Sequence, residues 1–324
     1  MSILPNIVIL GDYEFALRRY SSWEKIDKLA NVIIHHEPLR GESLYQATEN
    51  ADAIVIVRDR TPFDSELIAR LPKLKFLMFT GMRNGTLASD ALISKNIPIG
   101  CTPGGPSKET TTELTWSLIL GASKRLIDQN NLIKTGAWRN EHSVLPMLAG
   151  ERLGIIGLGA IGSRVAKVGR AFGMEVVTWS PNMTHERAQA ENASYVSLEE
   201  LLRTSKVVSL HLVSSPKTQG LLGAQQISWM RPDSILVNTS RSALIKMQDL
   251  PAALAKGRPG QAAIDVFDTE PLACNDPLRN TANLLATPHL GFVAEPIFQT
   301  FSKGITETLE AWLENKPIPY PYSP

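Results

Sequence analysis

The chain has 324 residues, of which 43% are hydrophobic and 20% are charged. This composition indicates a folded globular protein, and the length is too great for one ordinary core and suits two domains. Lysine and arginine total 33 against 32 acidic residues, so the net charge of +1 provides no basic surface for nucleic acid or for an anionic membrane. No apolar run is long enough to span a bilayer, which argues against a membrane partner.

The N-terminal half alternates short apolar runs with helix-like stretches. Because the N-terminus has no basic start, its apolar run predicts a first strand rather than a signal peptide. Strands that alternate with helices predict an α/β fold with a parallel sheet. The predicted strands are Ile7–Leu10, Ala53–Val57, Leu74–Phe79 and Ile97–Gly100, with helices such as Asp64–Arg70 and Ala88–Lys95.

A cluster of proline and glycine at residues 102–106 breaks this alternation and predicts a linker into a second domain. One long helix, Lys108–Ile127, is predicted directly after it. A second alternating series follows, with strands Arg152–Gly157, Glu175–Trp179, Val207–Leu212, Ile235–Asn238, Ala262–Val266 and Leu284–Ala286 and a helix Ile161–Phe172. The tail Glu295–Asn315 is again helical, and its pattern leaves open which domain it joins.

Residues 154–162 contain the spacing G-x-G-x-x-G in Gly157, Gly159 and Gly162. The motif follows an apolar strand and opens a helix, and this context predicts a dinucleotide site. The first glycine permits a tight turn, the second lets the backbone approach a pyrophosphate, and the third lets the helix pack on the strand. Ala160 and Ile161 lie at the start of that helix, whose N–H groups and dipole attract phosphate.

The end of the next strand usually carries an acid that binds the ribose hydroxyls and repels a 2′-phosphate. Ser180 stands at that position, followed by Asn182 and Thr184, which can donate hydrogen bonds, and by Arg187. The cofactor is therefore predicted to be NAD or NADP, and the choice stays open.

Three later segments complete a known pattern. They are residues 237–245, Val-Asn-Thr-Ser-Arg-Ser-Ala-Leu-Ile, residues 262–272, Ala-Ala-Ile-Asp-Val-Phe-Asp-Thr-Glu-Pro-Leu, and residues 286–291, Ala-Thr-Pro-His-Leu-Gly. With the glycine motif before them, in this order, they resemble the D-isomer-specific 2-hydroxyacid dehydrogenases. The resemblance is strongest over residues 150–292.

The resemblance implies two Rossmann-like domains with parallel sheets and a catalytic cleft between them. Residues 1–102 with 291–324 would form a flavodoxin-like substrate-binding domain, to which the last helix returns. Residues 103–290 would form the dinucleotide-binding Rossmann domain. The implied partner in the same family is a second copy of the chain, since the region around Trp138 helps form a dimer; the alternative for Trp138 is burial within one copy.

The resemblance also implies roles for single residues. Arg241 matches the substrate arginine, Glu270 the acid, and His289 the general acid/base of the family. Asp265 matches the residue that meets the nicotinamide amide, and Thr239 falls among the predicted cofactor contacts. The implied activity is hydride transfer between NAD(P)H and a 2-keto acid, giving a D-2-hydroxy acid.

This chemistry suits these residue types. A histidine titrates near neutral pH and can supply the proton of the new hydroxyl, while a carboxylate partner orients its ring and favours the imidazolium. An arginine offers a planar pair of donors to the substrate carboxylate. The five other histidines lack such a setting. Among them His211, in the apolar run 210–213, is predicted to be a core histidine or a support for the site.

The chain departs from the family in the substrate loop. A glycine-aspartate run is usual there, but residues 80–85 read Thr-Gly-Met-Arg-Asn-Gly. We predict that Gly81, Met82, Arg83 and Asn84 bind substrate, with backbone N–H groups forming an anion nest. Arg83 either adds a positive charge or is solvated. Ser242 replaces a common glycine after the arginine, so the identity of the keto acid stays open.

Two further readings bear on function. Formate dehydrogenase shares the fold but carries glutamine where this chain has Glu270, which argues against it. The remaining alternative is a dinucleotide-sensing, co-repressor-like binding protein, which the catalytic residues do not exclude. The two cysteines, Cys101 and Cys274, form neither a disulfide framework nor a metal site, so we predict a reduced, cytoplasmic setting and no bound metal.

Overall fold

We describe residues 4–323 in a computed structural model of the protein. They form two compact units, residues 4–106 with 293–323 and residues 107–292. The chain passes between the units at 106/107 and 292/293, where the sequence predicted 102/103 and 290/291. Residues 1–3 and 324 of the first predicted domain, including the start of the N-terminal segment, lie outside the described residues.

The first unit contains a parallel sheet of five strands in the order β2-β1-β3-β4-β5. Every residue of β3 and β4 is buried, as expected for parallel strands covered on both faces. The strands are β1 Asn6–Leu10, β2 Asn31–His35, β3 Ala53–Ile56, β4 Phe76–Phe79 and β5 Ile99–Cys101. The helices between them are α1 Glu24–Leu29, α2 Gly41–Thr48, α3 Ser65–Ala69 and α4 Ser89–Ser94.

Strand β2 and helices α1 and α2 were not among the predicted elements. β2 is an edge strand with no fully buried residue, and its apolar run is only three residues long between Asn31 and His35. Because half-exposed edge strands need little hydrophobic pattern, the sequence gives a weak signal there. Its pairing with β1, from Asn6 opposite Asn31 to Leu10 opposite His35, depends on the tertiary structure.

The second unit contains a parallel sheet of seven strands in the order β12-β11-β10-β9-β6-β7-β8. The strand order reverses between β6 and β9, and ligands of such sheets bind outside the carboxyl ends of the strands at that point. The strands are β6 Arg152–Ile156, β7 Glu175–Trp179, β8 Ser194–Tyr195, β9 Val207–Leu210, β10 Ile235–Asn238, β11 Gln261–Ile264 and β12 Leu284–Ala286. The helices are α5 Ser107–Ser123, α6 Leu126–Lys134, α7 Gly162–Ala171, α8 His185–Ala190, α9 Leu198–Thr204, α10 Ala224–Ser228 and α11 Leu250–Ala255.

Several predicted elements of this unit extended past the observed ends; β6, for example, ends at Ile156 and β11 at Ile264, before the predicted Gly157 and Val266. The helix predicted over Lys108–Ile127 ends at Ser123, because Arg125 adopts a left-handed backbone with φ 45° that interrupts the helix, and α6 starts after it. Leu126 and Ile127, which extended the apolar pattern, are more than half exposed. The strand predicted over Val207–Leu212 ends at Leu210, so His211 follows the strand rather than lying within it.

The last helix, α12 Glu295–Leu313, belongs to the first unit and packs against α1 and β5. Its Ser302 hydroxyl donates a hydrogen bond to the carbonyl oxygen of Leu17. Beyond it, Tyr322 N–H donates to Ile99 O at 2.9 Å, so the tail covers the β5 edge of the sheet. Within residues 4–323, no helix is both long and apolar enough to cross a membrane.

Candidate active site

The glycine motif forms the turn between β6 and α7, beside the point where the strand order reverses. Gly157 has φ +101°, and a Cβ there would lie 2.8 Å from the carbonyl carbon and oxygen of His211. A Cβ at Gly162 would lie 2.1 Å from the carbonyl oxygen of Gly157. Both positions therefore require glycine, one for the turn and one for the close approach of helix and strand.

Gly159, the second glycine of the motif, lies beside open space. A Cβ at Gly159 would meet no atom within 4 Å. Among residues 4–323, the backbone N–H groups of Gly159, Ala160 and Ile161 have no hydrogen-bond partner, and they lie at the N-terminal end of α7. Open space beside unpaired donors at the N-terminus of a ten-residue helix fits the pyrophosphate of a dinucleotide.

His211 lies against this turn at the end of β9. Its Nε2 is 2.9 Å from the hydroxyl oxygen of Ser209. Burial lowers the pKa of His211 to about 4, so the ring is neutral near pH 7. The His211 ring is therefore a neutral partner of Ser209, while its backbone carbonyl faces Gly157.

The segment after β7 carries the residues predicted near the ribose. Ser180 directly follows Trp179 at the carboxyl end of the strand. Arg187 lies in α8, and its Nη1 donates to the carbonyl oxygen of Asn182 at 2.7 Å. The Thr184 hydroxyl accepts the Arg187 N–H at 3.3 Å and caps the helix. The Arg187 guanidinium therefore lies at the 180–182 turn. In this turn Ser180 occupies the position where an acidic residue is usual.

The loop after β10 presents Arg241. Asn238, the last residue of the strand, accepts from Ser240 N–H at 3.0 Å and donates to the Arg241 carbonyl at 2.9 Å, which defines the backbone of the loop. The hydroxyl of Thr239 is 2.8 Å from that of Thr115 on α5. Arg241 is exposed and has extended backbone, and its Nη1 donates to the Ser240 carbonyl at 2.8 Å. These local hydrogen bonds fix the loop that carries Arg241 at the carboxyl end of the sheet.

His289 and Glu270 are in direct contact at the carboxyl end of the second sheet. His289 follows β12 and Glu270 follows β11, and Nδ1 of the ring lies 2.6 Å from Oε2 of the carboxylate. The other carboxylate oxygen accepts the Phe267 N–H at 2.9 Å. Each side chain is about one third exposed, so the pair is held by the protein and still reachable. Glu270 is thereby fixed at both oxygens, and the ring keeps Nε2 for another partner.

The pKa of Glu270 depends on two other predicted site residues, His289 and Arg241. Burial raises the pKa of Glu270, but the hydrogen bond and charge of His289 lower it more, together with the Phe267 N–H and the charge of Arg241. The net effect is a pKa below the usual value of a glutamic acid. A carboxylate that is ionised at neutral pH favours the protonated form of an adjacent imidazole.

Asp265 is fully buried directly after β11. Its Oδ1 accepts from the Thr287 hydroxyl at 2.6 Å and from Leu290 N–H at 2.7 Å, and its Oδ2 accepts from Gly291 N–H at 2.9 Å. Burial raises the pKa of Asp265, and these bonds oppose that rise. The resemblance implied that Asp265 contacts the nicotinamide. In the structure both of its carboxylate oxygens accept hydrogen bonds from the turn that carries His289.

The predicted substrate loop lies after β4 in the first unit. Gly81 N–H donates to the Thr102 hydroxyl at 2.9 Å, which corrects the prediction that Gly81 offers its N–H to an anion. The Asn84 side chain is also engaged, since it donates to Arg58 O at 2.8 Å and accepts from Thr86 N–H at 2.9 Å. Among residues 4–323, the N–H groups of residues 82–84 have no partner.

Arg58 is a neighbour of this loop that the sequence did not single out. It has φ +49°, its N–H donates to the Thr80 hydroxyl at 3.0 Å, and its Nη1 would lie 3.5 Å from a Cβ at Gly81. Arg83, by comparison, is exposed. An arginine after a strand carries no sequence signal of its own, so only the fold could bring Arg58 to the loop.

The surface of residues 126–147 is rich in exposed apolar side chains. Trp138 is 74% exposed, which contradicts the alternative that it is buried within one copy of the chain. The other large apolar residues exposed in this segment are Leu126, Ile127, Ile133, Val144 and Met147. Such a patch is characteristic of an interaction surface.

Comparisons with known proteins agree with this architecture. The family model described as D-isomer specific 2-hydroxyacid dehydrogenase, NAD binding domain, matches residues 116–291. A glyoxylate reductase from Aeropyrum pernix is 32% identical over 88% of this chain and 86% of its own length. A D-3-phosphoglycerate dehydrogenase from Methanocaldococcus jannaschii is 33% identical over 86% of this chain and 53% of its own length.

Solved structures give the same result. The crystal structure of a phosphoglycerate oxidoreductase from Vibrio cholerae superposes with a TM-score of 0.85 at 30% identity, covering 96% of this chain and 98% of that one. With two parallel sheets, the glycine turn and a family model that matches more than half of the residues, the chain belongs to the D-isomer-specific 2-hydroxyacid dehydrogenase family.

Proposed function

We propose that this protein reduces a 2-keto acid to a D-2-hydroxy acid, with His289 as the proton donor. The observation that carries this proposal is the 2.6 Å contact between His289 Nδ1 and Glu270 Oε2, at the carboxyl edge of a dinucleotide-binding sheet. A bound nicotinamide cofactor supplies the hydride that adds to the keto carbon. The residues of the chain orient the substrate and provide the proton.

The proton path follows from the way the imidazole is held. With Nδ1–H directed at the Glu270 carboxylate, the proton exchanged with substrate is the one on Nε2. As the keto carbon accepts the hydride, its oxygen gains negative charge and takes the Nε2 proton to become a hydroxyl. The neutral imidazole then regains a proton from solvent, and the same residue acts as base in the reverse reaction.

Arg241 is proposed to bind the substrate carboxylate and polarise the keto oxygen. Its guanidinium offers two parallel N–H donors, which match a carboxylate better than a point charge does. In the first unit, residues 82–84 with their unpaired N–H groups, and the neighbouring Arg58, are proposed to bind an anionic group of the substrate. The nest thus begins after Gly81 rather than at it, and the exposed Arg83 adds charge to the same loop.

The proposed cofactor site comprises Gly157, Gly159, Ala160, Ile161 and Gly162 at the pyrophosphate, with Ser180 and Asn182 at the ribose. Thr239 and Asp265 are proposed to lie near the nicotinamide. We propose that NADPH is accepted at least as well as NADH. Ser180 brings no negative charge, and the Arg187 guanidinium lies against the carbonyl of Asn182.

Ser180→Asp tests the cofactor proposal. A new carboxylate near the 2′-phosphate should weaken NADPH by about 1–3 kcal/mol, roughly 5- to 150-fold, and spare NADH. The measurement is kcat/KM for both cofactors in wild type and variant, with Ser180→Ala as the matched control that adds no charge. A wild type that already prefers NADH by a large factor would overturn this reading of Ser180.

We further propose that the protein is a homodimer formed through residues 126–147. The exposed Trp138 and its apolar neighbours would then be covered by the same segment of a second copy, as an isologous contact requires. Analytical ultracentrifugation of wild type and Trp138→Asp should show a dimer and a monomer. A monomeric wild type would overturn the proposal.

A panel of 2-keto acids, each assayed with NADH and with NADPH, tests the activity itself. The panel should include glyoxylate, hydroxypyruvate and bulkier keto acids, because Ser242 and the altered 80–85 loop leave the substrate side chain open. Steady turnover of any of them supports the enzyme. Tight dinucleotide binding without turnover of any keto acid would favour the alternative, a co-repressor-like sensor of the dinucleotide.

A further inference from the structure

The backbone of His289 is in an unfavourable conformation. Its φ is +55°, a left-handed geometry that residues with a Cβ rarely adopt. The N–H of His289 donates to Thr287 O at 3.0 Å, so residues 287–289 make a tight turn. Such a conformation persists only where the surroundings hold it. The structure must therefore supply contacts that fix the turn on both sides of the histidine.

One of these contacts is Asp265. Its carboxylate accepts bonds from residues before and after the histidine, namely the Thr287 hydroxyl and the N–H groups of Leu290 and Gly291. The N–H side of the turn is thereby fixed to the end of β11. The carbonyl of Gly291 points to different partners.

Those partners are two adjacent threonines in the first turns of α5. The hydroxyls of Thr110 and Thr111 lie 2.9 Å and 2.8 Å from the carbonyl oxygen of Gly291, 180 residues or more along the chain. Both hydroxyls also lie near Ser107 O, at 3.2 Å and 2.7 Å. Each hydroxyl has one proton to donate. Either threonine can therefore donate to the Gly291 carbonyl while the other donates to the Ser107 carbonyl within the helix.

A helix alone does not explain this pair. A threonine inside a helix can satisfy its hydroxyl on its own backbone, as Thr112 does with Lys108 O at 2.7 Å. Thr110 and Thr111 also lie near the carbonyl of their own helix at Ser107, but in addition their hydroxyls reach a carbonyl two residues after His289. Thr111 is buried, and a Cβ at Gly291 would lie 3.5 Å from its side chain, so the turn and the helix are in direct contact.

We propose that Thr110 and Thr111 are positioning residues for His289. Their hydroxyls hold the Gly291 carbonyl, Asp265 holds the N–H groups, and between them the turn keeps the left-handed histidine at 2.6 Å from Glu270. Only the expected effect on turnover rests on the proposed function. The position of the His289 ring can be measured in the protein without substrate.

The test is the double variant Thr110→Val/Thr111→Val, which keeps the shape of both side chains and removes both hydroxyls. The double serine variant restores the hydroxyls, and Thr112→Val is the matched control. The first readout is the downfield proton NMR signal of a short His289 Nδ1–H···Glu270 bond, assigned by its loss in His289→Gln. The second is kcat for the best keto acid, measured together with KM for the cofactor.

The signal should be lost or broadened in the double valine variant, return in the double serine variant, and stay in Thr112→Val. Turnover should follow it, with kcat lowered about tenfold by the misplaced ring and KM for the cofactor changed less than about twofold. An unchanged signal and unchanged kcat in a folded double valine variant would overturn the inference while leaving the proposed function intact. A signal that responds as described in a protein that reduces no keto acid supports the positioning role and refutes the proposed function.

Discussion

The turn at residues 287–291 and the loop at residues 80–85 both follow a parallel strand, yet they are built differently. The turn is fixed by a buried carboxylate and two hydroxyls from distant parts of the second unit. The loop is held by the Gly81 N–H on the Thr102 hydroxyl and by Asn84 on the Arg58 carbonyl, and among residues 4–323 the N–H groups of residues 82–84 have no partner. A catalytic side chain must be held at a defined distance from its partner, which requires hydrogen bonds on both sides of its turn. Backbone N–H donors need only the correct shape of the loop.

The sharpest test of the turn is His289→Gln. If the imidazole donates the proton, kcat for keto-acid reduction should fall by about 10²-fold or more, while the Kd for the reduced cofactor stays nearly constant. Steady-state kinetics and fluorescence titration of the cofactor give both values. His142→Gln, a change at an exposed histidine, is the control. An unaltered kcat would remove His289 from the mechanism.

Arg241→Ala examines the other charged group of the second unit. Loss of a charge-assisted bond to the substrate carboxylate should lower kcat/KM by about 10²-fold, mostly through KM. Arg241→Lys should recover only part of it, because lysine lacks the planar pair of donors. Saturation kinetics on the three proteins decide this, and complete recovery with lysine would mean that a point charge is sufficient.

Glu270→Gln should change the pH profile. Reduction requires the imidazolium, and the carboxylate 2.6 Å away favours that form. The neutral amide of the variant cannot stabilise a positive charge on the imidazole, so the alkaline limb of the kcat profile should move to lower pH and kcat at neutral pH should fall about tenfold.

The profile is measured from pH 5 to 9 in a constant-ionic-strength buffer. Asp268→Asn, at an exposed neighbouring carboxylate, controls for the general loss of a negative charge. The pKa of Glu270 lies below the usual value of a glutamic acid, so its carboxylate carries a negative charge at neutral pH. An alkaline limb that stays in place would disprove the proposed pairing.

The loop should respond more weakly. Asn84→Ala removes the bonds to Arg58 O and to Thr86 and frees the loop, so KM for the keto acid should rise about threefold with little change in kcat, as expected for a side chain that acts only through backbone shape. Asn84→Asp keeps the acceptor and is the comparison variant. A fall in kcat as large as that of His289→Gln would show that the two regions do not differ as described.

Prediction from sequence was most successful where spacing carries chemistry. The family and the α/β fold with its two parallel sheets were predicted, and most of the buried strands were found because buried parallel strands have continuous apolar runs. It failed at β2, whose exposed edge has little pattern, and at the end of α5, where apolar residues continue on an exposed surface. The roles of the site residues remain predictions for the experiments above.

By itself, the sequence determined most of the buried strands, the dinucleotide turn and the family. These depend on local spacing, since a tight turn, a helix start and a buried strand each require particular residues within a few positions. Only the tertiary structure brought Thr110 and Thr111 to the Gly291 carbonyl, Asp265 to the His289 turn, and Arg58 to the 80–85 loop. Those contacts join residues that are 22 to 181 positions apart, and nothing in either local segment specifies the distance between them.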